Sequence, residues 1–149
     1  MRIGYAQLNT TVGDLEGNLA LAIDAYEQLC GQGIDIVVFT ELFLCGYPPK
    51  DLLTKEKFLL DTNSALQNFA KHTAATPSLI GFAEEDLEPA SFRKCYNSVA
   101  WCEKGKINQI FRKRLLPTYD VFDEDRYFSS GTLPMSRMYK GKKIAVTIC

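Results

Sequence analysis

Histidine is nearly missing from this chain. His72 is the only one in 149 residues, and it sits in a segment of helical periodicity just before a polar Thr73-Ala74-Ala75-Thr76 stretch, where a solvated helix-end role is the plain reading. A Cys–His pair or a Ser–His–Asp triad therefore has no natural base here. No Cys-x-x-Cys occurs. The five cysteines, at positions 30, 45, 95, 102 and 149, are odd in number and irregular in spacing. That argues against a disulfide framework or a structural zinc site, and for a reducing, cytoplasmic compartment. Neither G-x-G-x-x-G nor a P-loop is present, so this domain is not expected to hold nucleotide phosphates. No segment approaches the roughly 20 apolar residues of a membrane helix, and Met1-Arg2-Ile3-Gly4-Tyr5 lacks the apolar core of a signal peptide. The net charge of -1 supplies no excess to draw nucleic acid or an anionic membrane. Internal repeats, linkers and low-complexity tracts are also absent.

What remains is one domain of ordinary apolar content, long enough for a real core. Ile3 to Leu8 reads as a first strand. Asn18 is placed to cap a helix running to about Cys30, with Leu19, Ala22, Ile23, Tyr26, Leu29 and Cys30 on one stripe. Gly31 and Gly33 close it, and the β-branched run Ile34 to Phe39 is a buried strand. A strand–helix–strand unit of this kind marks an α/β layer fold. Leu42 to Lys50 reads as a loop broken by Gly46 and Pro48-Pro49. A second helix is expected from about Lys55 to His72, with Phe58, Leu59, Ala65, Leu66, Phe69 and Ala70 inward, then a strand at Leu79 to Ala83. Glu84 to Lys94 reads as a polar loop. Tyr96 to Cys102 and Lys106 to Phe111 flank Glu103-Lys104-Gly105 as a β-hairpin. Leu116 to Pro134 reads as a long aromatic and acidic loop, and Met135 to Tyr139 with Lys142 to Ile148 as a strand pair around Gly141.

Three polar residues stand at the ends of apolar runs. Glu41 follows Ile36-Val37-Val38-Phe39-Thr40, at the carboxyl end of a strand, where ligands of α/β sheets bind. A carboxylate among apolar neighbours is a usable general base, although an exposed loop Glu or an N-cap partner fits the same pattern. Lys113 is the middle of three basic residues, Arg112-Lys113-Arg114, and strand alternation points it away from both neighbours. Its ammonium could stabilise an oxyanion or simply decorate a strand end. Cys149 follows Ile144-Ala145-Val146-Thr147-Ile148 at what reads as the tip of a buried strand. It is either a nucleophile or one more small buried hydrophobe. The cluster Tyr119-Asp120-Val121-Phe122-Asp123-Glu124-Asp125-Arg126-Tyr127-Phe128 is dense in carboxylates and aromatics. It lacks the regular acidic alternation and central Gly of an EF-hand, so no metal is expected.

The stretches T-E-L-F-L-C-G-Y-P-P-K-D-L-L (40–53), R-K-R-L-L-P-T-Y-D-V-F-D-E-D-R-Y-F-S-S-G (112–131) and K-I-A-V-T-I-C (143–149) resemble the nitrilase, or carbon–nitrogen hydrolase, superfamily. More narrowly, they resemble the N-terminal glutaminase domains of the glutamine-dependent NAD+ synthetases, and the likeness covers all 149 residues. The resemblance implies a nitrilase-like α-β-β-α sandwich, here its N-terminal part only, with a little over half of the four layers. It implies Glu41 as general base, Lys113 as catalytic lysine and Cys149 as nucleophile. It also implies Tyr119 as a glutamine contact, with Phe122 and Glu124 as pocket support. The family continues beyond the cysteine, so residues 1–149 are expected to be the first part of the domain, cut at the nucleophile and inactive alone. The implied substrate is L-glutamine, with no cofactor in this domain. ATP and Mg2+ are expected in a synthetase domain of the full-length chain, and a homo-oligomer is expected. An amidase acting on another small amide, or an inert folding or assembly module, are the competing readings.

Overall fold

The computed structural model describes residues 1–87, 95–120, 122–133 and 135–149. Strand β1 (Ile3–Ala6) lies parallel to β2 (Ile36–Phe39), with Ile3 opposite Ile36 and Ala6 opposite Phe39. Helix α1 (Leu15–Cys30) connects them. A 3-10 turn at Lys50–Thr54 and helix α2 (Glu56–His72) lead to β3 (Ser78–Glu85), again parallel to β2. β4 (Cys95–Glu103) and β5 (Lys106–Arg112) then add antiparallel neighbours. The sheet order is β1-β2-β3-β4-β5, so each strand pairs with the next one along the chain. Two parallel crossovers followed by a hairpin make the expected α/β layer.

Period decides which face each residue takes. Ala6, Val37, Phe39, Ile80, Phe82, Ala100 and Cys102 point to the helix side and pack against Ala22, Tyr26, Leu66, Phe69 and Ala70. Phe39 meets Phe43 and Phe69 edge-on, with ring centroids 4.9 and 5.5 Å apart. Leu79, Val99, Trp101 and Phe111 point the other way. They are covered by a separate hairpin, β6 (Ser136–Tyr139) with β7 (Lys142–Ala145). That hairpin is fastened by Trp101 against Tyr139 at 5.4 Å, by Tyr139 Oη donating to the Asp35 carbonyl at 3.2 Å, and by a Lys140–Asp35 ion pair. The layers are thus helix, sheet and a partial second sheet. Ile3 and Tyr5, on the second face of edge strand β1, stay 56% and 57% exposed.

The local signals that held are the strongly periodic ones. The hairpin between β4 and β5 turns on Lys104 and Gly105, with φ of 56° and 75°, the left-handed pair that matches strand twist. Four expectations need correction. The cap of α1 is Asp14, whose Oδ1 accepts the Gly17 N–H at 2.9 Å. Asn18 lies inside the helix, buried, and ties the Thr11 and Leu44 carbonyls through its Nδ2. Strand β3 runs on through Glu84 and Glu85, because β4 pairs with it along its whole length. The acidic loop contains a helical turn, α3 (Glu124–Tyr127). Strand β7 ends at Ala145, where its ladder with Ser136 ends, so Cys149 lies four residues past the strand. Residues 88–94, Val121 and Pro134 of the expected loops lie outside the described residues. Replacing Asp14 by Ala should cost about 1 kcal/mol, the usual value of a side-chain N-cap, read as a lower urea midpoint at unchanged slope. Among the described residues no helix is long and apolar enough to cross a membrane.

Candidate active site

Lys113 follows β5 directly, and the alternation of the three basic residues is real. Arg112 turns to the helix side and grips Glu84 with two hydrogen bonds of 2.8 and 2.7 Å. Arg114 is exposed, while Lys113 is only 1% exposed. A buried ammonium must be matched by acceptors, and three converge on it. Nζ donates to Glu41 Oε1 at 2.9 Å, to Glu124 Oε1 at 3.0 Å and to the main-chain oxygen of Cys149 at 2.7 Å. Glu124 Oε2 lies 2.9 Å from the same nitrogen without hydrogen-bond alignment. Burial alone would pull the Lys113 pKa down, but the hydrogen bonds to Glu124 and Glu41 outweigh it and hold it above the ordinary lysine value. Lys113 is therefore a fixed cation. Glu124 is held above the ordinary carboxyl range by burial, although Lys113 pulls the other way.

Glu41 sits just past β2, in a turn laid directly across β3. A Cβ on Gly81 would stand 2.4 Å from Leu42 N and 2.5 Å from Thr40 O, so only glycine lets the two backbones approach this closely. The Leu44 N–H bonds the Gly81 carbonyl at 3.1 Å. From β4, Asn97 Nδ2 donates to Glu41 Oε1 at 2.6 Å. Glu41 and Cys149 line one groove of about 280 Å³ with Thr40, Val146 and Ile148. The Cys149 thiol makes no hydrogen bond among the described residues, and the residue's contact with the cluster is through its main-chain oxygen. Of the five cysteines it is the exposed one. Burial pushes the Cys45 thiol up to about 11, and the Cys95 and Cys102 thiols up to about 12, which leaves those three protonated and inert.

Glu41 and Lys113 thus meet through their side chains, and Cys149 joins them through its main-chain oxygen and by lining the same groove as Glu41. Glu124, expected only as pocket support, is an ion-pair partner of Lys113, because α3 begins at that residue and is seated by the Glu124 N–H on the Pro117 carbonyl at 3.1 Å. Phe122 lines a second cleft, of about 250 Å³, with Glu124, Tyr47 and Leu53. Tyr119 is 69% exposed, meets Phe122 edge-on at 5.7 Å and lines neither cavity. Sequence reasoning missed Asn97 and Gly81. The Tyr96-Asn97-Ser98 run reads as ordinary strand, and Gly81 as an ordinary strand glycine. Among the described residues no group of three or more His, Cys, Asp or Glu is arranged to hold a metal ion.

A buried Lys joining two carboxylates at the ends of a helix-backed mixed sheet defines a class, and comparison with known proteins agrees. The chain belongs to the carbon–nitrogen hydrolase family, whose pattern it matches over residues 2–149. It is 42% identical to the glutamine-dependent NAD(+) synthetase of Thermotoga maritima and 43% identical to that of Synechocystis sp.. These alignments take in 100% and 99% of this chain, but 25% and 27% of those proteins. The chain thus spans about a quarter of the relatives it matches. A solved glutamine-dependent NAD+ synthetase from Acinetobacter baumannii superposes with a TM-score of 0.86 at 30% identity, over 99% of this chain and 27% of that one. An amidase from Nesterenkonia sp. superposes with a TM-score of 0.79 at 20% identity, over 100% of this chain and 55% of that one. That second likeness speaks to the nitrilase-type fold.

Proposed function

We propose that residues 1–149 form the first part of a glutaminase domain that supplies ammonia for the amidation of nicotinic acid adenine dinucleotide. One observation carries the reading: Lys113, buried and cationic, contacts the Glu41 carboxylate and the main-chain oxygen of Cys149. The relatives' name supports glutamine as the amide substrate.

Glu41 takes the proton of the Cys149 thiol, and the thiolate attacks the side-chain carbonyl carbon of glutamine. The carbonyl oxygen becomes an oxyanion and receives a hydrogen bond from Lys113 Nζ. Of its three acceptors, the Cys149 main-chain oxygen is the one outside the two acidic side chains, and that bond is the one exchanged for the oxyanion. The carbon–nitrogen bond breaks as Glu41 returns its proton to the leaving nitrogen, giving ammonia and a Cys149 thioester. Water, deprotonated by Glu41, then cleaves the thioester to glutamate and restores the thiol. Glu124 holds Lys113 throughout. Tyr119 contacts glutamine, and Phe122 forms the apolar wall beside Glu124.

The ATP- and Mg2+-dependent step falls to a synthetase domain outside these 149 residues, in a cytoplasmic homo-oligomer. As a free 149-residue polypeptide the chain should release little glutamate, since Ile3 and Tyr5 on edge strand β1 are left to water and invite association. In the complete protein, Cys149→Ala should abolish glutamine-dependent synthesis and spare synthesis from added ammonium, because the thiol serves only to liberate ammonia. Equal loss of both activities would refute the assignment.

A further inference from the structure

Glu41 carries both of its hydrogen bonds on one oxygen. Asn97 Nδ2 and Lys113 Nζ reach Oε1 at 2.6 and 2.9 Å, while Oε2 takes no hydrogen bond among the described residues. Asn97 is fully buried on β4, 56 residues away from Glu41 in sequence. Its main-chain carbonyl accepts the Lys113 N–H at 2.8 Å. One residue therefore sets Glu41 by its side chain and Lys113 by its backbone. A carboxylate accepts only, so the amide nitrogen must face it. That orientation leaves Asn97 Oδ1 buried with no partner, a standing cost that an amide kept only for packing would not carry.

We propose that Asn97 is a positioning residue for the reaction proposed above, and that Glu41 Oε2 is the oxygen that carries the proton. Two donors occupy the lone pairs of Oε1 and make it the poorer proton acceptor. They also stop the carboxylate from turning about its Cγ–Cδ bond. The thiol proton goes to Oε2 and leaves from Oε2 to the departing nitrogen. Lys113 alone cannot fix this choice, because a single donor on Oε1 leaves the carboxylate free to turn about its Cγ–Cδ bond. Asn97 touches neither substrate nor thiol, and it keeps the base aimed while Lys113 works.

The inference rests on the glutaminase reading, and its test separates the two. In the complete protein, Asn97→Leu (donor removed, volume kept) and Asn97→Ser are assayed for glutamate release beside Glu41→Gln and Cys149→Ala. A hydrogen bond to a charged group is worth about a tenfold to hundredfold effect. The expected result is that fall in kcat for both Asn97 variants, with KM moving by less than about threefold and melting cooperative. A folded Asn97 variant with wild-type kcat, or a loss confined to KM, overturns the proposal. Should neither variant fold, the side-chain amide protons of Asn97 are compared by NMR in wild type and Glu41→Gln. The hydrogen-bonded proton should move upfield when the carboxylate is lost, and an unmoved resonance overturns the proposal. Full hydrolysis by Glu41→Gln and Cys149→Ala would instead refute the glutaminase reading itself.

Discussion

Replacing Lys113 by Met should remove both activity and much of the stability, and the two losses have separate signatures. In the mechanism proposed above the oxyanion loses its stabilising donor, which by itself is worth about 10²–10³ in rate. Two carboxylates are then left facing each other, Glu124 at 7% and Glu41 at 25% side-chain exposure. Breaking a buried pair by removing one partner costs about 3–5 kcal/mol, and the partial solvation of Glu41 points to the lower end. The pH dependence identifies the group. The Lys113 pKa is raised above its ordinary 10.5 by folding, so its contribution is whole below that value and is lost as pH rises through the folded value. The stability gap between wild type and variant, measured by urea titration, should close in strong alkali. Glu124 runs the other way. Its folded value is raised above 4.5 by burial, so its ionisation costs stability at neutral pH, and more so without Lys113. The variant should gain on the wild type as pH falls toward 4.5. Equal pH profiles for the two proteins would show that Lys113 is not the charge that holds this cluster.

The second large effect comes from a residue with no side chain. In Gly81→Ala the new Cβ would lie 2.4 Å from Leu42 N, 2.5 Å from Thr40 O and 2.9 Å from the Glu41 carbonyl carbon. All three are backbone atoms, so the turn must lift off β3 and carry Glu41 with it. Overpacking of this kind costs about 1–3 kcal/mol, and a misplacement of about 1 Å costs roughly 10² in rate. The expected result is a large fall in kcat for glutamate release, with a modest fall in melting temperature. Gly31→Ala is the control. Its Cβ finds only ordinary contacts at 3.5 Å and beyond, in a right-handed conformation with φ of -60°, so activity should be unchanged. Wild-type kcat in Gly81→Ala would mean that Glu41 does not depend on the close approach.

The parts of the fold legible in sequence were those written in local repetition. The α2 stripe at Leu59, Ala65, Leu66, Phe69 and Ala70 is buried as its spacing implies. The β-branched run of β2 is a central strand, and Lys104-Gly105 turns a hairpin. Errors came where two local signals competed. Asn18 and Asp14 are both good capping residues, and the burial of Asn18 by Thr11 and Leu44 decided between them. Glu84 and Glu85 look like loop residues, but pairing with Tyr96 and Cys95 keeps them in β3, and Arg112 neutralises Glu84.

By itself the sequence determined that a carboxylate and an ammonium stand at strand ends with apolar runs behind them, since strand period and apolar content are properties of neighbouring residues. It also set Lys113 apart from Arg112 and Arg114 by alternation. Only the tertiary structure decided what these groups touch. Glu41 and Lys113 are 72 residues apart, and their meeting depends on β2, β3, β4 and β5 lying side by side in that order. The same arrangement brings Asn97 to Glu41 and makes Gly81 a spacer. It also turns Glu124 from a loop acid into the second anchor of Lys113. A buried charge is stable only where opposite charges and donors converge on it, and that convergence is a property of strand order and register, which no local pattern contains.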